Sequence, residues 1–532
     1  MLRNLKMRHL EQQEERRLAL QTQLDAMKTQ AERNRFGQFA TPTALAVDIL
    51  EYAKTIFPRE MPVRFLDPAI GTGSFYSAFL RVFGNTTAQW AVGYEVDKHY
   101  AFPARQLWDA YPLDIRVDDF TKSDPPIEEA SKATLVICNP PYVRHHHIKC
   151  TEKERLHSIL LMNHGISLSG LSGLYCYFLC LSKKWMAHDA IAGWLIPSEF
   201  MDVNYGRAVK EFLLDHVTLL HIHRFSPEDT QFSDALVSSA VVWLKNATPP
   251  QGHHVRFSLG GSLLRPVNEQ TYSIDVLCKI GKWTSLPQAH SQRSLGRPRW
   301  IIGDFFDVKR GIATGANDFF VLSAEEALRR CIPQEFLVPI LPSPRYLKSD
   351  LIDGNETGIP QIEKQVFLFS SELSEEQIQR QYPPVWRYLQ EGHEQGIPER
   401  YICRNRDPWY SQEKRAVAPF LCTYMGRSSQ QENSKPFRFI LNRSQAIAGN
   451  VYLMLYPKSW VRKRMIEDPH LLEEVWRAFN TIPIESLLGN GRIYGGGLHK
   501  IEPRELLYAP AGSLASLFQH NIDPRSVQTT LF

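Results

Sequence analysis

Seven short β-forming runs recur between residues 60 and 245 of this 532-residue chain, and helical patterning separates most of them. They read VRFLD (63–67), WAVGYEV (90–96), DIRV (114–117), ATLVICN (133–139), AIAGWLIP (190–197), VTLLHIHRF (217–225) and LVSSAVVWL (236–244). Several are apolar on both faces, as strands must be when helices cover a sheet on both sides. Alternation of this kind predicts a doubly wound α/β domain. The seventh run follows the sixth with no helical stretch between them, so it is expected to join antiparallel.

Other segments flank that core. Residues 1–35 hold no Gly or Pro, and Leu20, Leu24, Met27 and Ala31 recur at helical spacing. This predicts one amphipathic helix, packed on its own domain or serving as an arm for a partner. Residues 36–246 make the α/β domain, and 247–298 read as a linker and connecting region beginning near NATPPQGHHV. From 299 to 532 the alternation gives way to aromatic, Pro and Arg clusters with short strands, which predicts a second, α+β domain. No run of eighteen uncharged apolar residues is present, so no membrane span is expected. The N-terminal MLRNLKMRHLEQQEERR is too charged for a secretory signal. The eight cysteines form no CxxC pair and read as reduced thiols of a cytoplasmic protein. A net charge of +4 is too small to argue for nucleic acid, so local patches must carry that case.

The first functional signal is FLDPAIGTGSF (65–75), which leaves a strand and enters a helix. Gly71 and Gly73 let the backbone turn sharply and approach a ligand closely. The loop is not GxGxxG, and no Lys-Ser/Thr follows, which excludes a Walker phosphate loop. The next strand ends in GYEVD (93–97), placing Glu95 at its tip as a bidentate acceptor for two ribose hydroxyls. The third ends in VDDF (117–120), where Asp119 can accept from an adenine amino group and Phe120 can stack on the ring. Three successive strand tips offering glycine, acid and acid-aromatic describe one crevice for an adenosine-containing cofactor.

The fourth strand runs into Asn139-Pro140-Pro141-Tyr142. Two prolines fix φ and remove two backbone donors, leaving a strand tip rich in acceptors. A planar amino group has two N–H donors and a lone pair delocalised into its ring. The Asn139 side-chain oxygen and the Pro140 carbonyl, aimed at those hydrogens, draw the nitrogen toward a tetrahedral shape and free the lone pair. That lone pair can attack a sulfonium methyl in line, with no covalent enzyme intermediate and no strong base. Tyr142 offers a face to the target base.

In this order the motifs resemble the γ class of DNA adenine-N6 methyltransferases of type II restriction–modification systems, the Taq type. GQFATP (37–42) is similar to the family's N-terminal cofactor motif, and the glycine loop, the Glu95 strand, Asp119-Phe120 and NPPY follow in sequence. The resemblance implies a seven-stranded class I methyltransferase sheet followed by a target-recognition domain, with S-adenosyl-L-methionine as cofactor. It places Phe39, Thr41 and Pro42 at the methionine end of the cofactor. Asp67 and the loop Ala69, Gly71 and Gly73 would hold the amino acid part, Glu95 the ribose, and Asp119 and Phe120 the adenine. Asn139, Pro140 and Tyr142 would act on a base rotated out of double-stranded DNA. A second aromatic in TQFSDALVSSAVVW (230–243) would contact the other side of that base, which nominates Phe232, with Phe225 as the fallback. The resemblance also implies functional pairing with a restriction endonuclease, in a prokaryotic cytoplasm. A monomer is expected, since one chain can act on one strand at a time.

For DNA reading, RYICRNRDPWYSQEKR (400–415) interleaves cations with aromatics. Lys309, Arg310, Arg404, Arg406, Trp409 and Tyr410 are the candidate contacts, against the plainer reading of a solvated charged surface over core aromatics. Three adjacent histidines, His145-His146-His147, cannot converge on one metal and read as a surface loop; no metal is expected. GIATGANDFF (311–320) and RIYGGGLHKIEPREL (492–506) are looser matches to the family's recognition domain. NPPY also occurs in enzymes that methylate RNA bases or protein glutamine amides. Those are usually smaller, and the long C-terminal region argues against them. A non-catalytic DNA-binding relative is the third alternative, opposed by the intact glycine loop, Glu95 and NPPY.

Overall fold

A computed structural model of the chain describes residues 2–84, 87–226, 238–287, 299–427, 435–494 and 498–518. It divides into two compact units, one essentially Met1–Ser294 and the other from Leu295 onward.

The first unit is built on a sheet whose strands are β1 (Val63–Asp67), β2 (Ala88–Tyr94), β3 (Asp114–Arg116), β4 (Ala133–Cys138), β5 (Met186–Pro197), β6 (Thr218–Arg224), β7 (Ser239–Lys245), β8 (His254–Gly261) and β9 (Pro266–Ser273). Their order is β3-β2-β1-β4-β5-β7-β6-β8-β9. Strands β3 through β5 run parallel. β7 inserts antiparallel between β5 and β6, the direction expected from the sequence. All six residues of β4 are buried, and so are the last three of β1, which is the burial a central strand covered on both faces requires.

The helices that frame the site are α1 (Leu2–Ala26), α2 (Gln30–Phe36), α3 (Thr43–Ile56), α4 (Ser74–Val82) and α5 (Lys98–Leu107). The Asp97 side chain caps α5 by accepting from His99 N at 3.0 Å. α2 opens on a capping box between Thr29 and Glu32 and closes on left-handed Gly37. No helix among the described residues is long and apolar enough to cross a membrane.

Two expectations change here. The N-terminal region is two helices, and the buried face of α1 is polar: Gln13, Glu14 and Arg17 are buried with Leu24, while Met27 is exposed. The predicted apolar stripe fails because the surface under α1 offers hydroxyls and a carbonyl oxygen. The region 247–298 is no mere connector either. It contributes β8 and β9, an antiparallel pair that widens the sheet from seven strands to nine. β8 carries a period-two signal in Val255, Phe257 and Leu259, all buried.

The second unit is α+β. One sheet runs Phe306–Arg310, Tyr452–Pro457, Phe420–Thr423, Phe439–Asn442, Leu351–Ile352, and a second runs Val321–Ser323, Val366–Phe369, Leu337–Leu341, Ile447–Ala448. The first packs its Phe306, Phe420 and Phe439 around Phe479 of the helix Leu471–Asn480.

Between β6 and β8 lie two fully buried imidazoles that share one hydroxyl: Ser258 Oγ is 2.6 Å from His221 Nε2 and 2.8 Å from His223 Nδ1. Burial, helped by the nearby Arg256 charge, lowers His223 to about 4 and His221 further still. An unfolded imidazole protonates near 6.5, so protons favour the unfolded chain as pH falls from there toward 4. Stability is therefore full above that window and is lost on acidification through it. Thermal melts from pH 7 down to 4.5 should show this loss, and His221→Gln with His223→Gln should flatten it. An equal slope in that double variant would show that other groups set the acid sensitivity.

Candidate active site

The carboxyl ends of the neighbouring strands β1, β2 and β4 carry the glycine loop, Glu95 and Asn139-Pro140-Pro141-Tyr142. β1 ends at Asp67, which is buried and accepts from Ala69 N at 3.1 Å. The loop that follows turns on Gly71 (φ 55°) and Gly73 (φ 90°), a backbone region that side chains with a Cβ resist. A Cβ on Gly73 would also lie 2.6 Å from Trp108 Nε1, which donates to Thr72 O at 2.9 Å. Glu95 follows β2 and meets this loop directly: its carboxylate accepts from Gly71 N at 3.1 Å and from Asp97 N at 2.8 Å. Ala69 is half-buried beside the same turn.

Burial pushes the Asp67 carboxyl up to about 8, with the Glu95 charge adding to the rise and the Ala69 N–H opposing it. Burial raises Glu95 to about 7 against the pull of the Asp97 N–H. Both groups thus sit near the point of losing a proton at neutral pH. A ligand that brings positive charge or hydroxyl donors will ionise them.

The third strand tip is less open than the sequence suggests. Asp119 Oδ1 already accepts from Thr121 N at 2.9 Å and Thr121 Oγ1 at 2.8 Å, and Oδ2 faces Lys122 Nζ at 3.3 Å. Phe120 is only 2% exposed. Its ring packs against Trp185, Phe178 and Tyr94 at centroid distances of 4.9, 5.5 and 5.6 Å. An open stacking face at Phe120 is therefore not what the structure presents.

Asn139 leaves the tip of β4, and its amide is held from one side only. Asn139 Nδ2 donates to Phe39 O at 2.9 Å and to Thr41 Oγ1 at 3.2 Å. A carbonyl oxygen has no hydrogen to give, so the amide nitrogen must face Phe39 and the oxygen must point away. That Oδ1 is buried and has no hydrogen-bond partner. An enclosed acceptor left unsatisfied costs about 1–3 kcal/mol, a strain that an incoming N–H donor removes. Pro140 is buried next to it, and Pro42 opens α3, its carbonyl accepting from Ala46 N at 2.9 Å.

Tyr142 is buried at 7% exposure. Its hydroxyl donates to Leu195 O at 3.0 Å, and Phe39 lies 5.7 Å away, tilted by 43°. Its backbone N donates to Gly37 O at 3.2 Å. This last link went unread in the sequence, although GQFATP contains it. Phe232 lies outside the described residues. Phe225, the fallback, is buried in the same cluster as Tyr142, edge-on to His223 at 4.9 Å.

In the second unit the six candidate contacts split. Lys309, Arg310 and Arg404 are exposed, Arg310 lying over Tyr424 at 4.2 Å and Arg404 over Tyr401 at 5.2 Å. The other three depart from expectation. Arg406 turns inward and donates to Ala313 O at 2.7 Å, Thr314 O at 2.9 Å and Gln412 Oε1 at 2.9 Å, so it clamps the GIATGAN loop. Tyr410 is fully buried, and Trp409 packs on Phe319 while donating to Glu375 Oε1 at 2.8 Å. Aromatics spaced among arginines serve a core here, because the local backbone turns them under the surface.

A parallel sheet with an antiparallel β7, a glycine loop after β1, an acid after β2 and NPPY after β4 defines a class I methyltransferase. Residues 89–232 match the family model described as Eco57I restriction-modification methylase, and 289–525 match that of the C-terminal domain of type II methyltransferase M.Eco57I. Type II methyltransferase M.AccI of Acinetobacter calcoaceticus is 26% identical over 490 residues, covering 89% of this chain and 85% of that protein. M.XamI of Xanthomonas campestris pv. amaranthicola is 26% identical over 490 residues, covering 91% and 86%. The type IIL restriction-modification enzyme MmeI, solved in complex with DNA, shares the fold with a TM-score of 0.52 at 12% identity, over 94% of this chain and 78% of that one. The chain belongs among the type II restriction–modification methyltransferases.

Gly37 offers a direct check on how the amide and the tyrosine are supported. It adopts φ 63°, and a Cβ there would lie 2.3 Å from Tyr142 N. Gly37→Ala should therefore destabilise the protein by about 2 kcal/mol or more through strain and clash together, read as a lowered unfolding midpoint. An unchanged midpoint would mean that the Gly37–Tyr142 contact is not made in solution.

Proposed function

We propose that the protein transfers a methyl group from S-adenosyl-L-methionine to the N6 amino group of adenine in double-stranded DNA, at a specific site, and so protects DNA from a paired restriction endonuclease. The observation that carries this reading is the unpaired, buried Asn139 Oδ1, fixed in direction by the bonds its amide nitrogen makes to Phe39 and Thr41. Such an acceptor suits an amino group, and the Pro140 carbonyl beside it suits the second hydrogen. Two acceptors on two N–H groups draw the nitrogen out of the ring plane and free its lone pair, with no strong base required.

The residues present fit the cofactor. The left-handed glycines let a ligand lie against the loop, and Asp67 and Glu95 give a cationic amino acid and a diol their partners. Asp119 would sit at the adenine end, with Phe120 packed behind it in the core, and Phe39, Thr41 and Pro42 at the methionine end. The bound cofactor supplies an electrophilic sulfonium methyl. The chain itself orients the acceptor nitrogen and excludes water around Asn139.

The target adenine has to be rotated out of the duplex, at a cost of about a few kcal/mol. Tyr142, and Phe232 on the other side, would contact it, and stacking at roughly 1–3 kcal/mol per base offsets much of that cost. Exposed Lys309, Arg310 and Arg404 suit phosphates, which gives salt-dependent affinity without sequence reading.

Transfer of tritiated methyl from the cofactor to duplex DNA, followed by nucleoside analysis, should yield N6-methyladenine. Asn139→Ala should lower transfer by about a hundredfold or more while cofactor binding survives. Methylcytosine as product, or label found only in RNA or protein, would refute the substrate assignment.

A second outcome follows from the two raised carboxyls. Near pH 7 the unliganded Asp67 is largely protonated and Glu95 about half so, by their values of about 8 and about 7. Binding that favours their charged forms must release protons, and affinity should rise as pH increases from 6 to 8. Calorimetry in buffers of differing ionisation enthalpy reads the released protons directly. A heat independent of buffer would contradict the assigned roles of both acids.

A further inference from the structure

α1 is docked in an unusual way for a helix on a globular domain. Its buried face carries Gln13, Glu14 and Arg17 beside Leu24, and polar contacts from α1 and from the turn after it reach the cofactor crevice. Arg17 is 1% exposed and forms a two-pronged pair with Glu14: Nε to Oε2 at 2.8 Å and Nη2 to Oε1 at 2.6 Å. The remaining nitrogen, Nη1, donates to Thr72 Oγ1 at 3.2 Å. That hydroxyl in turn donates to Gln21 Oε1 at 2.6 Å, and Gln21 Nε2 is itself held by Asp25 Oδ1 at 2.8 Å. Thr72 lies between Gly71 and Gly73. In the turn after α1, Lys28 pairs with Asp97, which also accepts from Gln38 Nε2 at 2.8 Å. Asp97 N is one of the two donors that orient Glu95.

Docking alone does not call for this chemistry. A buried ion pair contributes little net stability, and apolar residues of similar volume often replace one without loss. What a buried guanidinium fork supplies is direction. Thr72 Oγ1 accepts from Arg17 and donates to Gln21, so both its lone pair and its proton are assigned and its rotamer is fixed. The loop needs such a fixture, because two of its residues are glycines in the left-handed region and have no side chains of their own to lock it.

We propose that α1 is a polar brace for the cofactor loop, in which Arg17 and Gln21, through Thr72, are positioning residues for S-adenosylmethionine binding. The inference rests on the cofactor reading given above and adds that α1 sets cofactor affinity from outside the crevice. A loop held in its binding conformation has less ordering to undergo when the ligand arrives.

The test uses the full chain, S-adenosylhomocysteine as the probe, calorimetric Kd and the thermal midpoint as separate readouts. Gln21→Leu leaves the Glu14–Arg17 pair intact and removes one of the two anchors on Thr72. Glu14→Gln combined with Arg17→Met removes the other without stranding a buried charge. Thr72→Val keeps the shape and deletes the hydroxyl, and Thr72→Ser restores it. Gln13→Ala is the control, since Gln13 Nε2 bonds Leu107 O at 2.7 Å and makes no bond to Thr72, Arg17 or Gln21. Gln21→Leu, the double variant and Thr72→Val should each weaken binding by about tenfold, the effect of losing one hydrogen bond to a buried partner. Thr72→Ser should recover the parent affinity, and Gln13→Ala should lower the midpoint while leaving Kd alone. Parent-like Kd in all three brace variants, or an equal loss of affinity in Gln13→Ala, overturns the brace and leaves the cofactor reading standing. Failure of the parent protein to bind the probe overturns the cofactor reading itself and the brace with it.

Discussion

The Asn139 carboxamide is tied at its nitrogen and bare at its oxygen, and much of the molecule exists to keep it so. Its anchor, Phe39 O, belongs to a segment that precedes the first strand, whereas Asn139 follows the fourth. A hundred residues of chain therefore separate the two ends of one hydrogen bond. Gly37 closes the same connection a second time by accepting from Tyr142 N. The sheet supplies the rigid frame in which that long loop closure becomes worth its entropy. The bonds from the amide nitrogen to Phe39 O and Thr41 Oγ1 together fix which way the carboxamide faces, and the Gly37–Tyr142 contact holds the backbone on either side of it.

How much of this could be read from the sequence depended on whether burial left a periodic trace. Each of the seven forecast strands appears at or within a few residues of its run, because Leu135, Val136 and Ile137 and their neighbours are apolar wherever helices cover both faces. The glycine loop and Glu95 were legible for a different reason, since a tight turn and a strand-tip acid leave few residue choices. β8 was overlooked although Val255, Phe257 and Leu259 alternate cleanly, and β9 left almost no trace, as an edge strand with only Tyr272 buried. Phe120, Arg406, Trp409 and Tyr410 show the opposite limit. Composition names a ring or a charge, but only the backbone decides whether it turns toward ligand or into a core. Arg406 commits both its terminal nitrogens to two backbone carbonyls and a glutamine, which no spacing rule foretells.

Strand direction also shapes what the catalytic edge can become. Because β7 runs against β5 and β6, the chain leaves β6 and enters β7 at the edge where Asn139 stands. Arg224, the last residue of β6, and Ser239, the first of β7, both lie at that edge. The length of that connection is thereby uncoupled from the register of β1 to β4.

The polar docking of α1 has a thermodynamic side. Apolar surface dominates the heat capacity of unfolding, and polar surface carries the opposite sign. A helix that buries Gln13, Glu14 and Arg17 beside Leu24 bares a larger polar share on leaving than a helix docked on an apolar stripe. Its detachment would thus carry a smaller heat-capacity change per unit area than that of an apolar helix. Temperature would act on such a step chiefly through enthalpy, and salt through the Lys28–Asp97 pair. The N-terminal helix is in this sense a reversible fitting on a permanent core.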